Sequence, residues 1–339
     1  RRLGVKLGLA AACVALSLLL AEAIVALTVS TPAAGIHFAA RQRGCCQLDP
    51  ELIWTFRPNV SGTWGTDEFQ ETTAINSLGM RDREVAPKRP GEQRIVAIGD
   101  SFTYGHGVQL EESYPKVVER RLAERGTSDP PVTVLNAGQP GYGIDQTYKS
   151  FVQRRLSLEP DLVLVGVHTT DVTIDVDKSL FALRDGALVP LDARHNWIYV
   201  QGTIFDFLPH VIATSRLVRL AVSALQNVPA LRQTPSLPEA QLYDWQRDKA
   251  VAEITALRDL GEQHGFRVAV VLMPSEWALR DPTWEPFGDL AARLRARGIP
   301  VLDLLRGLGG RAPDPLALFF PKDKHLNAEG NRVLGELVT

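Results

Sequence analysis

The apolar and polar positions divide the chain into three unlike stretches. Residues 7–29, LGLAAACVALSLLLAEAIVALTV, are apolar on every face and carry one charge, Glu22. At 1.5 Å per residue this run is longer than the ~30 Å hydrocarbon core of a bilayer, so it predicts a membrane-spanning helix. From about 30 to 93, Pro, Gly and Thr are frequent. Short pieces such as LIWTFRP (52–58) and FQETTAI (69–75) predict strands there, without a helical period. From 94 onward, apolar runs alternate with amphipathic stretches: RIVAIGD before YPKVVERRLAERG, VTVLNAG before IDQTYKSFVQRRL, then DLVLVGV, RVAVVLM before PFGDLAARLRARG, and PVLDLL before NAEGNRVLGELV. Short continuous apolar strands separated by helices predict an α/β fold whose parallel sheet is covered on both faces. Ligands of such sheets bind beyond the carboxyl ends of the strands.

The pattern therefore divides the chain into a transmembrane anchor or signal segment (1–30), a β-rich lead-in (31–93) and an α/β domain (94–339). Within that domain, residues 172–238 break the rhythm with mixed sequence and several prolines. They follow a strand's carboxyl end, which predicts an insertion over the crevice, as a lid or as a structural cap. Arg1, Arg2 and Lys6 precede the apolar run and no Lys or Arg follows before Arg41. By the positive-inside bias, the α/β domain is expected outside the cytoplasm, on the periplasmic side of a cell membrane. Ala21-Glu22-Ala23 also has the small-x-small form of a cleavage site, so a secreted, signal-cleaved product stays open beside the retained anchor. The chain starts at Arg1 and stops at Thr339 inside a helical pattern, as a piece of a longer reading frame would.

Composition narrows the chemistry. Of 339 residues, 45% are apolar and 22% charged, a balance that excludes global disorder and low-complexity architectures. Thirty-seven basic against 39 acidic residues give a net charge of -2, which provides no basis for a nucleic-acid partner. The three cysteines, Cys13, Cys45 and Cys46, have neither the number for a disulfide framework nor the spacing of a zinc cage, and no metal is expected. The glycines of YGHGV (104–108) do not complete a dinucleotide fingerprint and no phosphate-binding P-loop is present, so no cofactor is expected.

The first strand of the α/β domain ends in Gly99-Asp100-Ser101, which places Ser101 at the crevice where strand turns to helix. A serine is a poor nucleophile unless a base lies within hydrogen-bond reach and an acid orients that base. Asp323-Lys324-His325, before the last helix, supplies both types, because an Asp two residues ahead of a His can turn back onto its ring. Asp100 and Asp171 are expected to cap turns. Tyr104 and Tyr142 are expected either at the crevice or in aromatic packing.

These blocks, GDSFTYGHG (99–107), NAGQPGYG (136–143) and DKHLNAEGNR (323–332), resemble those of the SGNH hydrolase superfamily, also called GDSL esterases and lipases, over roughly 94–339. INSLGMRD (75–82) behind a membrane helix also resembles the lead-in of exported bacterial members. The resemblance implies a flavodoxin-like three-layer α/β/α sandwich. It implies Ser101, Asp323 and His325 as a triad, with an oxyanion hole from the backbone of Ser101 and Gly141. A third donor is expected from an Asn, but DLVLVGVHTTDV (161–172) places Thr170 there. Its hydroxyl reaches less far than an amide, and the loss of one such donor typically costs ~10²- to 10³-fold in rate. His168 is either a second candidate donor or a structural histidine held by packing or a hydrogen bond.

Three functions follow. The first is hydrolysis of an acyl or acetyl ester in the cell envelope. The second is transfer of the same acyl group to or from a surface polysaccharide, as in polysaccharide O-acetylation. The third, prompted by the missing Asn, is binding of a glycan or partner without catalysis. The expected partners are an acyl ester or acylated glycan and, through the first helix, the membrane.

Overall fold

A computed structural model describes residues 2–28, 44–126, 132–173, 179–207, 215–228, 231, 237–281, 283–308 and 314–339. The end of the expected anchor segment (29–30), the start of the expected lead-in (31–43) and four pieces of the expected insertion (174–178, 208–214, 229–230 and 232–236) lie outside the described residues.

The apolar N-terminal run forms helix α1 (Arg2–Thr28), long and apolar enough to cross a membrane, with most of its large side chains exposed. The lead-in is β-rich, as its Thr-rich alternating pieces predict. Strand β1 (Cys46–Asp49) pairs antiparallel with β2 (Ile53–Phe56), and β3 (Val60–Gly65) with β4 (Gln70–Ile75). In β4 the burial alternates residue by residue, the signature of a strand with one face against a core. The Sγ atoms of Cys45 and Cys46 are 3.3 Å apart, well beyond the ~2.05 Å of a disulfide.

The α/β domain begins with β5 (Arg94–Ile98), a one-turn helix α2 (Ser101–Tyr104), α3 (Tyr114–Glu124), β6 (Thr133–Asn136) and α4 (Ile144–Arg154). Strand β7 (Leu162–His168) leads to the expected insertion, which contains the hairpin β8 (Phe181–Arg184) and β9 (Ala187–Pro190), then α5 (Trp197–Phe207) and α6 (Arg216–Ser223). The long α7 (Glu239–His264), β10 (Arg267–Met273), α8 (Glu276–Arg280), α9 (Leu290–Arg295), β11 (Val301–Asp303), α10 (Leu304–Gly307) and α11 (Ala328–Val338) complete it.

Five parallel strands lie in the order β11-β10-β7-β5-β6. Counted along the chain this is the flavodoxin-like order 2-1-3-4-5. Alternation within the strands builds a core on each face. Val163, Val165 and Val167 join Ile98, Val270 and Leu272 against Phe151, Ile254 and Leu257 of α4 and α7. Ala97, Leu164, Val271 and Met273 face Tyr114, Val118, Val333 and Leu334 of α3 and α11. Two apolar faces need two helical layers, hence the three-layer α/β/α sandwich.

The order also locates a crevice. The chain leaves β5 toward β6 on one side and returns to β7 on the other, so the loops beyond these two neighbouring strands diverge. Ser101 follows β5 and Thr170 follows β7. Gly166 of β7 lets the Ser101 turn lie directly on the sheet, since a Cβ there would stand 2.4 Å from Thr103 Oγ1 and 2.7 Å from Met273 Cε.

The described part of the insertion packs against the lead-in, with Leu180, Phe181 and Ala193 in one cluster with Leu52, Ile53 and Tyr142. It also meets the first helix: Ser215 Oγ and the backbone amides of Arg216 and Leu217 donate to Glu22 at 2.6, 2.6 and 3.1 Å. The start of the insertion is pinned by buried Lys249. Its Nζ donates to Asp145 Oδ2 (2.8 Å) and Ser179 Oγ (2.9 Å), while Asp145 also accepts from the amides of Leu180 and Phe181.

Candidate active site

Asp100 ends the first strand of the sheet, and its Oδ1 accepts from the amide of Phe102 at 2.9 Å. This cap starts α2 with Ser101 at its first position, on the crevice side. From the other end of the domain, the loop 320–325 is folded by two backbone bonds, Phe320 N to His325 O (2.8 Å) and Lys324 N to Phe320 O (3.1 Å). The lead-in clamps this loop: Glu68 accepts from the amides of Lys322 and Asp323, both at 2.8 Å.

The two ends meet. His325 Nε2 lies 2.8 Å from Ser101 Oγ, and His325 Nδ1 lies 2.6 Å from Asp323 Oδ1. Asp323 accepts only, so Nδ1 carries the ring proton and Nε2 is the acceptor for the serine hydroxyl. Burial lowers the pKa of His325 below the ordinary histidine value; the Asp323 hydrogen bond opposes the shift and His106 adds to it. Burial would raise the Asp323 carboxyl, but the facing nitrogens of His106 and His325 hold it well below the usual carboxylate range. At neutral pH the arrangement is thus a hydroxyl on a neutral imidazole on a carboxylate.

The crevice around Ser101 encloses about 270 Å³. Gly141 and Thr170 line it, together with Phe102, His168, Asp323 and His325. The His168 ring is stacked on Phe102 with centroids 3.8 Å apart, and its Nδ1 accepts from the Thr170 amide (3.3 Å) and meets Thr170 Oγ1 at 2.9 Å. Burial, then the charge of His325, push the pKa of His168 well down, so this ring is neutral. Asp171 is a cap, its Oδ2 accepting from the His168 amide at 2.8 Å. Of the two readings of the tyrosines, packing is the one found. Tyr104 is buried with its hydroxyl 2.6 Å from Thr73 Oγ1, and Tyr142 donates to Trp54 O at 2.7 Å.

The remaining wall comes from Ser275, Glu276 and Trp277, outside the motif blocks in the turn that starts α8 after β10, and from Lys324, which sits within the last block without an expected role. Lys324 Nζ is 2.9 Å from Glu276 Oε2, and Trp277 stands 55% exposed at the rim. The rule that ligands gather beyond strand carboxyl ends points to this turn; residue type alone does not. None of the described residues of 172–238 lines the crevice. A larger cavity of about 350 Å³, between β3 and Tyr104, contains neither Ser101 nor His325. Among the described residues, His106, Asp323 and His325 bring potential metal-ligating atoms within 4.8 Å of one another; His325 Nδ1 is hydrogen-bonded to Asp323 Oδ1 at 2.6 Å, and His106 Nε2 stands 3.7 Å from Asp323 Oδ2.

Solved structures with similar folds include a lipase/acylhydrolase from Enterococcus faecalis, 17% identical over 73% of this chain and 93% of that one, with a TM-score of 0.42. A psychrotrophic esterase from a Pseudoalteromonas species is 13% identical over 73% and 94% of the two chains, with a TM-score of 0.40. A GDSL-like lipase from Bacteroides thetaiotaomicron is 12% identical over 75% and 89%, with a TM-score of 0.38. No curated protein matches. The GDSL-like lipase/acylhydrolase family model matches residues 97–333, from the first strand of the sheet to the last helix. Because that match takes in both ends of the crevice and well over half of the chain, the protein belongs to the GDSL-like lipase/acylhydrolase family of the SGNH hydrolases.

Proposed function

We propose that the protein is a serine esterase that cleaves acyl or acetyl esters in the cell envelope, outside the cytoplasm, with Ser101, His325 and Asp323 as its triad. The observation that carries this reading is the unbroken chain from Ser101 Oγ through both ring nitrogens of His325 to Asp323, at 2.8 and 2.6 Å. In the first step His325 Nε2 takes the Ser101 proton while Oγ bonds to the ester carbonyl carbon. The oxyanion that forms is met by the backbone amides of Ser101 and Gly141 and by the Thr170 hydroxyl. The bond to the alcohol then breaks, and the leaving oxygen takes the proton from Nε2. Water, deprotonated by the same nitrogen, attacks the acyl-serine and releases the acid. Asp323 holds one tautomer throughout and stabilises the imidazolium.

Location outside the cytoplasm is supported by Arg1, Arg2 and Lys6 at the N-terminal end of the first helix and by the absence of Lys and Arg after it until Arg41. One observation favours a sugar-bearing substrate, and with it the reading as an O-acyltransferase: Trp277 presents an exposed aromatic face at the rim of a crevice whose wall also holds Ser275, Glu276 and Lys324. A polysaccharide hydroxyl would then replace water in the second half-reaction.

A fluorophosphonate probe tests the nucleophile without a guess at the substrate. Intact mass should show one adduct on the wild-type chain and none on Ser101→Ala. A folded wild-type chain that takes no adduct overturns the enzyme reading in favour of glycan binding. Product analysis with and without polysaccharide acceptor then separates hydrolysis from transfer.

A further inference from the structure

Asp323 spends one carboxylate oxygen on His325, and the other faces a second imidazole. His106 Nε2 lies 3.7 Å from Asp323 Oδ2, and its Nδ1 lies 3.9 Å from Glu71 Oε2. The His106 ring meets the His325 ring edge to face with centroids 4.6 Å apart, and Phe69 covers its other side at 5.2 Å. The row runs Glu71, His106, Asp323, His325, Ser101. It alternates carboxylate and imidazole up to the nucleophile.

The surroundings are built to place His106. Gly107 has a φ of +87°, and a Cβ there would stand 2.6 Å from Phe320 Cε2, so the turn after the nucleophile helix closes tightly over the Asp323 loop. Arg81, fully buried, donates to the carbonyls of Thr72, Tyr104, Gly105 and Val108 at 2.6 to 3.2 Å, which fixes both sides of that turn. Glu71 is 2% exposed and accepts from the Gly107 amide, at 2.5 Å, and from Thr73 and Tyr104, both at 3.3 Å. These bonds fix the Glu71 carboxyl in place beside His106.

We propose that His106 is a positioning residue that shares Asp323 with His325: set between Glu71 and Asp323, it weakens the hold of Asp323 on the catalytic ring and sets the pH at which Ser101 is activated. The sign follows from Coulomb's law. Positive charge on His106, one ring away, disfavours a second positive charge on His325, whereas Glu71 favours it. The other groups facing this pair are Glu68 on the Asp323 amide, Lys324 with Glu276 on the next residue, and neutral His168 backed by Asp100. This inference rests on Ser101 and His325 acting as proposed above.

The experiment is the pH dependence of kcat/KM for p-nitrophenyl acetate, measured on the full chain in detergent for the wild type, His106→Gln, Glu71→Gln and His106→Lys. Histidine-ring NMR titrations of the same proteins accompany it. His106→Gln should move the acidic limb, and the His325 titration with it, upward by about half a pH unit or more. Glu71→Gln, which removes a carboxylate from beside both rings, should move them less than His106→Gln does, and His106→Lys, which keeps a cation, should hold them near wild type. A limb that stays fixed while His106→Gln lowers the rate equally at all pH makes His106 merely structural and overturns the proposal. So does a limb that His106→Lys moves as far as His106→Gln does, since a cation at 106 would then not matter. If the wild type hydrolyses nothing and takes no fluorophosphonate, the esterase reading fails, and the NMR titrations alone still decide whether the two rings are coupled.

Discussion

At the scale of single residues, the proposed activity depends on the proton at His325 Nε2. The proposed mechanism needs this nitrogen bare, and burial lowers the pKa of the ring. Protonation on acidification therefore comes later than for an ordinary histidine, and kcat/KM should reach half its plateau below about pH 6.5. A midpoint above that value would contradict the burial argument. Ser101→Ala and His325→Ala should each cost several orders of magnitude in kcat, about 10⁴-fold or more, and the double variant little beyond either, because the two groups act as a unit. Thr170 provides a separate check. An Asn amide reaches further than a threonine hydroxyl, so Thr170→Asn should raise kcat by about tenfold or more with little change in KM. A fall would mean that the contact of Thr170 with His168 has a role of its own.

Secondary elements hold these groups in place by close approach and by buried hydrogen bonds. Gly166→Ala would force a methyl into the space of Thr103 and Met273 beneath the Ser101 turn. Overpacking of this kind costs about 1 to 3 kcal/mol, and because the affected helix carries the nucleophile, urea unfolding and kcat should fall together. Arg81 links the lead-in to the same turn. Arg81→Leu would leave four carbonyls without their shared donor, at a cost of about 3 kcal/mol or more in unfolding free energy. A stable, fully active Arg81→Leu chain would show that the lead-in does not brace the site.

Over the whole molecule, the exposed apolar surface of the first helix is the feature that a globular domain does not explain. Leu7, Leu9, Leu16, Leu19 and Leu27 are all more than 60% exposed. With such a surface the full chain should stay in the membrane pellet after carbonate extraction. A chain starting at residue 35 should move to the supernatant with its esterase activity retained, since the triad and its braces lie beyond that point. A full chain found in the supernatant would argue against the span. The insertion's contacts with Glu22 predict that this truncation exposes the N-terminus of the helix that follows Ser215 and makes 215–223 more open to proteolysis.

What the sequence determined by itself was everything that local pattern controls. Period and run length specified the apolar helix, the short lead-in strands and the parallel sheet, because burial on one face or two leaves a readable repeat. Three short blocks placed Ser101, Gly141, Asp323 and His325 at strand or loop ends, because turns into helices demand particular residue types. Only the tertiary structure decided what depends on register between distant segments. It brought Glu68 from the lead-in onto the Asp323 loop and Glu71 beside His106, turned His106 toward Asp323, buried Tyr104 and Tyr142 in packing, and drew Ser275 to Trp277 into the crevice wall. Those contacts join residues up to about 255 positions apart. No period or spacing along a chain records which of its loops will face each other.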